Sequence, residues 1–329
     1  MLNEKTIRLG IDCASHAIPY SLLRKLTVEK DSLILERILN TKCIRNINKN
    51  RIFNNIDQTT NYIEFKNDFN EFSVFNMCYL NDMLGKALFA VAIGVTPKFD
   101  VLDKDGENYF NIFFEPIDYM GKQNVNFYVP RIDGNTGGPH WFPSSEELIA
   151  YSKIFYKYFV IKKGILDRFN YELKRVRDIV QGGGGMLYGC VIRGTDYIIK
   201  KPKGHPIQPE TDIILQELKS VVNPNDYIYL ATDEEKTVNL FKNNFPHHII
   251  CSPSQYYDGI YSNHNINIAE YTFNRDNDKF LRGFEYFERI YILSKCDAYI
   301  GGMSGACRMA RIMNGGKYKF EKIFDLGLY

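Results

Sequence analysis

The chain has 329 residues, 45% hydrophobic and 24% charged, with a formal net charge of +2. That length supports two ordinary α/β domains, each burying its own core, and the near-neutral balance excludes a protein-wide basic field for nucleic acid or an anionic membrane. The seven cysteines (13, 43, 78, 190, 251, 296 and 307) are odd in number and form no CxxC pair, which fits neither a disulfide framework nor a zinc site and predicts reduced thiols.

In chain order, the opening MLNEKTIRLGIDC lacks the cationic start and apolar run of a secretory signal. No apolar run reaches the ~18 residues of a membrane helix, so the expected address is cytoplasmic, with peripheral attachment at the inner face of the membrane left open. Ile7 to Ile11 reads as a strand, Met83 to Ile93 as a helix closed by Gly94 with Pro97 beyond it, and Phe99 to Leu102 as the next strand. Pro143-Ser144-Ser145-Glu146-Glu147 is a helix-start signal, after which Leu148, Tyr151, Ile154, Phe155, Tyr158 and Phe159 recur at helical spacing. A second helical run, Ile165 to Val180, ends at four consecutive glycines, Gly182 to Gly185, which read as a hinge or linker.

Beyond the glycines the pattern alternates. Met186–Ile192, Tyr227–Ala231, His248–Cys251, Ala298–Ile300 and Lys322–Phe324 read as strands; Glu210–Lys219, Glu234–Asn244, Leu281–Ser294 and Gly305–Met313 read as helices. Such alternation predicts a doubly wound parallel sheet. The expected organisation is an N-terminal α/β domain over 1–164 and a C-terminal Rossmann-like domain over 165–329.

Ligands of an open parallel sheet bind beyond the carboxyl ends of its strands, so three loops carry the chemistry. After the first strand comes Arg193-Gly194-Thr195-Asp196: a guanidinium there can chelate a diphosphate, steadied by Asp196, or form an ordinary surface pair. After the second comes Ala231-Thr232-Asp233, where Asp233 is either the N-cap of the following helix or an acceptor for nucleobase N–H donors. After Ala298-Tyr299-Ile300-Gly301-Gly302 comes Met303-Ser304-Gly305 and a helix with Cys307 and Arg308. Its glycines, free N–H groups and positive dipole end favour a phosphate, although a Ser304 cap needs no ligand.

Four segments in this order resemble the alpha-1,6-fucosyltransferases, including the rhizobial nodulation enzymes, and more loosely the protein O-fucosyltransferases: VIRGTD (191–196) with His205-Pro206, YLATDEE (229–235), LRGFEYFERIYILSKCDAYIGG (281–302) and SGACRMARIM (304–313). The resemblance covers about residues 187–329. It implies a GT-B-like pair of α/β domains and an inverting, metal-independent transfer from GDP-fucose, with no cofactor. By the same resemblance Arg193 grips the β-phosphate, Asp233 the guanine, and Ser304 with Gly305 the diphosphate, with Thr232 and Arg308 beside them. The partners implied are a nucleotide-sugar donor and a glycan acceptor on a bacterial surface or capsule.

The chain also departs from the family pattern. A second Arg usually stands where Gly194 is, and the family's lysine and acidic residue fall on Tyr197 and Lys201, so the expected catalytic carboxylate is missing. Glu210 and Asp212 are the nearest acids, and Glu210 is taken as the base; His205 and Lys201 are acceptor-side or supporting residues. Leu80-Asn81-Asp82-Met83-Leu84-Gly85 sits where the family keeps a glycine-rich loop. The sole tryptophan, Trp141, in GGPHWFP, either lines an acceptor cleft or is an interdomain aromatic. Two alternatives stay open: a transferase using another activated donor, and a catalytically degenerate nucleotide-binding protein, which Lys201 in place of a carboxylate favours.

Overall fold

The structure of the chain, a computed structural model, describes residues 61–67, 75–92, 95–103, 105–117, 123–128, 143–201, 203–258, 260, 268 and 271–329. The expected strand at Ile7 to Ile11 lies outside the described residues. Two compact units meet at the junction between Lys162 and Lys163.

In the first unit, β1 (Asn61–Asn67) pairs in parallel with β2 (Val95–Val101) on one side and β3 (Gln123–Tyr128) on the other. Between β1 and β2 runs helix α1 (Met77–Ala92). It begins earlier than its apolar pattern alone predicts because the Asn76 side chain accepts from the amides of Cys78 and Tyr79, at 2.9 and 3.1 Å. Leu80 to Gly85 therefore belongs to a helix and not to a loop. Strand β2 also starts before the predicted Phe99, taking in Pro97, which suits its place at the edge of the sheet among the described residues.

Short helix α2 (Tyr109–Phe113) and helix α3 (Ser145–Tyr158) complete the unit. The helix-start signal at Ser144 is a full capping box: its hydroxyl accepts from Glu147 N at 3.3 Å, and its own N–H donates to the Glu147 carboxylate at 2.7 Å. The core is aromatic, with Phe75 stacked on Phe113 at 4.3 Å and Phe155 on Phe159 at 5.4 Å.

The second unit starts with α4 (Lys163–Gly183), followed by β4 (Leu187–Ile192), α5 (Thr195–Lys200), α6 (Thr211–Val221), β5 (Tyr227–Thr232), α7 (Glu235–Asn244) and β6 (Ile249–Ile250). After these come α8 (Asp278–Leu293), β7 (Ala298–Gly302), α9 (Gly305–Asn314) and β8 (Phe320–Phe324). All neighbouring strands are parallel, in the order β6-β5-β4-β7-β8.

Successive strand side chains leave opposite faces of the sheet. Tyr188, Cys190, Ile192, Ile228, Leu230 and Ile300 pack with Ile214, Leu218, Val238 and Phe241 from α6 and α7. Across the sheet, Phe169 of α4 meets Phe284, Phe287 and Tyr291 of α8 at 5.1–5.4 Å. Burial on both faces is why these strands read as continuous apolar runs.

The glycine run is not a linker between units, since it lies within the second. Gly182 and Gly183 close α4, Gly184 takes a φ of +72°, and a Cβ on Gly185 would collide with the backbone of Asn225. The run lets the chain reverse tightly into β4.

Candidate active site

In this sheet the first two crossovers run outward from β4 through β5 to β6, and the chain then returns to place β7 on the other side of β4. The strand order thus reverses between β4 and β7, and their carboxyl ends define the crevice where an open α/β sheet binds ligands. Arg193 and Gly194 follow β4, Asp233 follows β5, and Met303 and Ser304 follow β7.

Asp233 organises one side of this edge. Its carboxylate accepts from Arg193 Nη1 at 3.0 Å, from Gly194 N at 3.1 Å and from Thr195 Oγ1 at 2.7 Å. Only 7% of the Asp233 side chain is exposed, against 23% for Arg193, so the aspartate is the buried anchor and the guanidinium its partly open arm. Asp233 is not the cap of α7. Asp258 takes that role from a later loop, accepting from Glu235 N at 2.5 Å and Lys236 N at 3.1 Å, while Asp233 O receives Tyr257 N at 2.9 Å.

Thr195 is buried at a φ of 44°, a left-handed conformation that a β-branched residue enters at a cost of roughly 1–3 kcal/mol. Its bond to Asp233 holds it there. The strain lies immediately beside Arg193 and turns the start of α5 so that the Tyr197 ring lies 5.2 Å from the guanidinium carbon. The His205 ring meets Tyr197 edge-on, also at 5.2 Å. Arg193, Tyr197 and His205 thus form one continuous stack. Of Asp196, the backbone position in α5 is what the structure describes.

Gly194 has a packing reason to lack a side chain, because a Cβ there would collide with the Glu234 carboxylate. That carboxylate is held by Lys236 Nζ at 2.8 Å and Thr237 Oγ1 at 3.2 Å. Thr232 spends its own groups internally: its carbonyl accepts from Arg289 Nη1 at 3.0 Å and its hydroxyl from Glu234 N at 3.3 Å. The buried Tyr257 phenol also feels the charge of three arginines. Burial pushes its pKa up, against the opposing influence of Arg282, Arg289 and Arg193.

The β7 turn is equally specific. Ser304 caps α9, its hydroxyl accepting from Cys307 N at 3.1 Å and its carbonyl from Arg308 N at 3.0 Å. Gly305 is the first residue of that helix and Arg308 follows one turn on. The two glycines before the turn are required by protein packing. A Cβ on Gly301 would stand 2.8 Å from Val191 O of β4, and one on Gly302 would stand 2.5 Å from Gln208 Oε1 and 2.7 Å from Pro209 Cδ. Gln208, absent from the sequence-based candidates, ties its segment to the turn by donating to Met303 O at 2.6 Å.

The remaining candidates separate. Lys201 is exposed and ends α5 in a left-handed conformation, and Glu210 is exposed as the residue before α6. Trp141 lies outside the described residues. Thr195, Tyr197 and Glu234 join the site through contacts that a linear reading misses; their one sequence signal is position, directly after a strand or after Asp233. Among the described residues, no three His, Cys, Asp or Glu side chains are grouped to hold a metal ion, and no helix is long and apolar enough to cross a membrane.

No protein-family model and no curated protein matches the chain. Among solved structures it is similar to the NodZ alpha-1,6-fucosyltransferase soaked with GDP-fucose, at 13% identity and a TM-score of 0.48 over 78% of this chain and 93% of that one. It is similar to a point mutant of Arabidopsis thaliana FUT1 in complex with GDP, at 11% identity and a TM-score of 0.44 over 92% of this chain and 82% of that one. POFUT1 is a further likeness, at 8% identity and a TM-score of 0.39 over 82% and 98%. At these scores the site's own side chains carry the chemistry described below.

Proposed function

We propose that the chain is a glycosyltransferase that uses a nucleotide sugar, GDP-fucose first among candidates, in an inverting, metal-independent transfer to a glycan of a bacterial surface or capsule. The donor domain is the C-terminal half, with the 1–164 half on the acceptor side and the whole acting from the cytoplasm. One observation carries the reading: Arg193 stands at the strand-order reversal, anchored by Asp233 and backed by Tyr197, with a partly exposed side chain and a fixed direction. A departing nucleoside diphosphate accumulates negative charge on its β-phosphate. A preoriented guanidinium stabilises that charge as it develops, in the manner of an oxyanion hole, and the N-terminus of α9 adds a second positive field.

Asp233 enters this reading with a changed role. Three protein donors already engage its carboxylate, which favours an anchor for Arg193 over the guanine acceptor expected from the family pattern.

Isothermal titration with GDP, UDP and TDP tests the donor assignment. Tight GDP binding is expected, and Arg193→Ala should weaken it by about tenfold or more, the worth of a charge-assisted hydrogen bond. A wild-type chain that binds none of the three, or an Arg193→Ala variant that binds GDP as well as wild type, overturns it.

A further inference from the structure

We infer that Gln208 is the positioning residue that holds the β4 and β7 loops at the separation a nucleoside diphosphate needs; the inference rests on the nucleotide-sugar reading above. In that reading the diphosphate touches both loops at once, Arg193 after β4 and the N-terminus of α9 after β7. A ligand that bridges two loops binds only as well as their separation allows. Gln208 is the side chain that ties the segment beside one loop to the other.

Its carboxamide sits at the join. Gln208 is 8% exposed, and its Nε2 donates to two main-chain oxygens, Pro206 O of its own segment at 3.1 Å and Met303 O of the β7 turn at 2.6 Å. One planar NH₂ group supplies both bonds, so the amide fixes the two carbonyls relative to each other. Met303 directly precedes Ser304, whose hydroxyl caps α9. The bond therefore acts one residue before the group that defines the helix end.

The segment is stiff enough to transmit that hold. His205-Pro206-Ile207-Gln208-Pro209 contains two prolines, which lock their own φ and keep the residues before them extended. Residues 327–329 brace it: Tyr329 N donates to His205 O at 3.0 Å, Ile207 N to Gly327 O at 3.0 Å, and Pro206 bridges to Leu328. At its start the His205 ring meets Tyr197, which lies beside Arg193. From His205 to Gln208 the chain thus runs from the Arg193 stack to the turn that carries Ser304.

The glycines of the turn complete the arrangement. A Cβ on Gly302 would stand 2.5 Å from Gln208 Oε1 and 2.7 Å from Pro209 Cδ, and one on Gly301 would stand 2.8 Å from Val191 O of β4. The turn is pressed between β4 and the Gln208 segment with no side chain of its own at these two positions to set the spacing. Gln208 sets it instead. Binding groups must be held to within about 0.5 Å by the hydrogen bonds behind them, so losing this one carboxamide should cost more than its own two bonds.

The test titrates the full chain with GDP and with GMP, which lacks the β-phosphate, for wild type, Gln208→Met and Gly302→Ala, with thermal melts alongside. Gln208→Met keeps the volume and removes both N–H donors; Gly302→Ala keeps the amide and pushes it off the turn. Wild type should bind GDP more tightly than GMP, and both variants should lower that preference by about tenfold or more while GMP affinity holds. Partial unfolding would weaken both nucleotides by the same factor and leave the preference unchanged, so the ratio separates positioning from stability. If Gly302→Ala does not fold, Gln208→Met decides. A folded variant that keeps the wild-type ratio, whether its two affinities hold or fall together, overturns the inference and leaves the donor reading standing. So does a wild-type chain that binds GDP no better than GMP. A wild-type chain that binds neither nucleotide overturns the donor reading, and this inference with it.

Discussion

Replacing Asp233 by Asn tests whether the aspartate is an anchor or a ligand reader. The carboxylate receives Gly194 N on Oδ1 and both Arg193 Nη1 and Thr195 Oγ1 on Oδ2. An amide of the same shape presents its NH₂ to one of these two sets, so at least one donor faces another donor in a site where the side chain is 7% exposed. Breaking a buried charge pair from one side costs about 3–5 kcal/mol. Arg193 is 23% exposed and water recovers part of that, which leaves about 2–4 kcal/mol. Thr195 also loses the bond that holds its left-handed backbone. Urea unfolding followed by circular dichroism should show the transition of the second unit moved down by about 1–2 M. Arg193→Ala should move it less, because Asp233 then keeps two of its three donors. An Asp233→Asn variant within about 0.5 kcal/mol of wild type, an ordinary surface effect, with altered preference between GDP and ADP, would refute the anchor and restore the base-reading role.

Other expectations follow from the same packing. Burial pushes the Glu288 carboxyl up from 4.5 to about 7, reinforced by Glu172 and opposed by Arg168. The folded chain therefore binds this proton more tightly than the unfolded chain, and the ionised form costs stability that is absent below pH 4.5 and complete above about pH 7. Glu288→Gln should match wild type near pH 4.5 and exceed it progressively up to neutral pH, by about 3 kcal/mol at most, in denaturant titrations at a series of pH values; a constant difference across pH would contradict this. Within the four-glycine run, Gly182→Ala should stabilise by about 0.5–1 kcal/mol, since it replaces a helical glycine with open space around it. Gly185→Ala should destabilise by several times as much, as its Cβ meets the Asn225 backbone; thermal melts with the same sign for both would count against the packing described. Gly301→Ala should likewise lower the melting temperature, because the Val191 carbonyl it meets at 2.8 Å is held in the sheet and cannot step aside.

Much of the second unit was legible in its sequence. Strands buried on both faces are apolar runs, and the helices between them carry apolar faces, so strand and helix alternate visibly from Met186 to Phe324. The capping box at Ser144 and the cap at Ser304 are local chemistry, and local chemistry is what sequence spacing encodes. By contrast, β1 (NYIEFKN) carries polar residues through its length and β3 (QNVNFY) is scarcely apolar, so neither stands out as a strand until it is paired.

The sequence determined, by its own order, that Arg193, Asp233 and Ser304 each follow a strand of one parallel sheet, because strand ends are marked locally. Their partners were decided by tertiary structure. Asp233 could be cap, ligand reader or anchor until β4 lay beside β5 and brought Arg193, Gly194 and Thr195, some 40 residues distant, onto its oxygens. Tyr197 and His205 became a single stack, and the glycines of the β7 turn became packing requirements, only when the sheet brought residues from separate loops together. A side chain's chemistry is written at its position, but what it spends that chemistry on depends on neighbours that the linear order does not name.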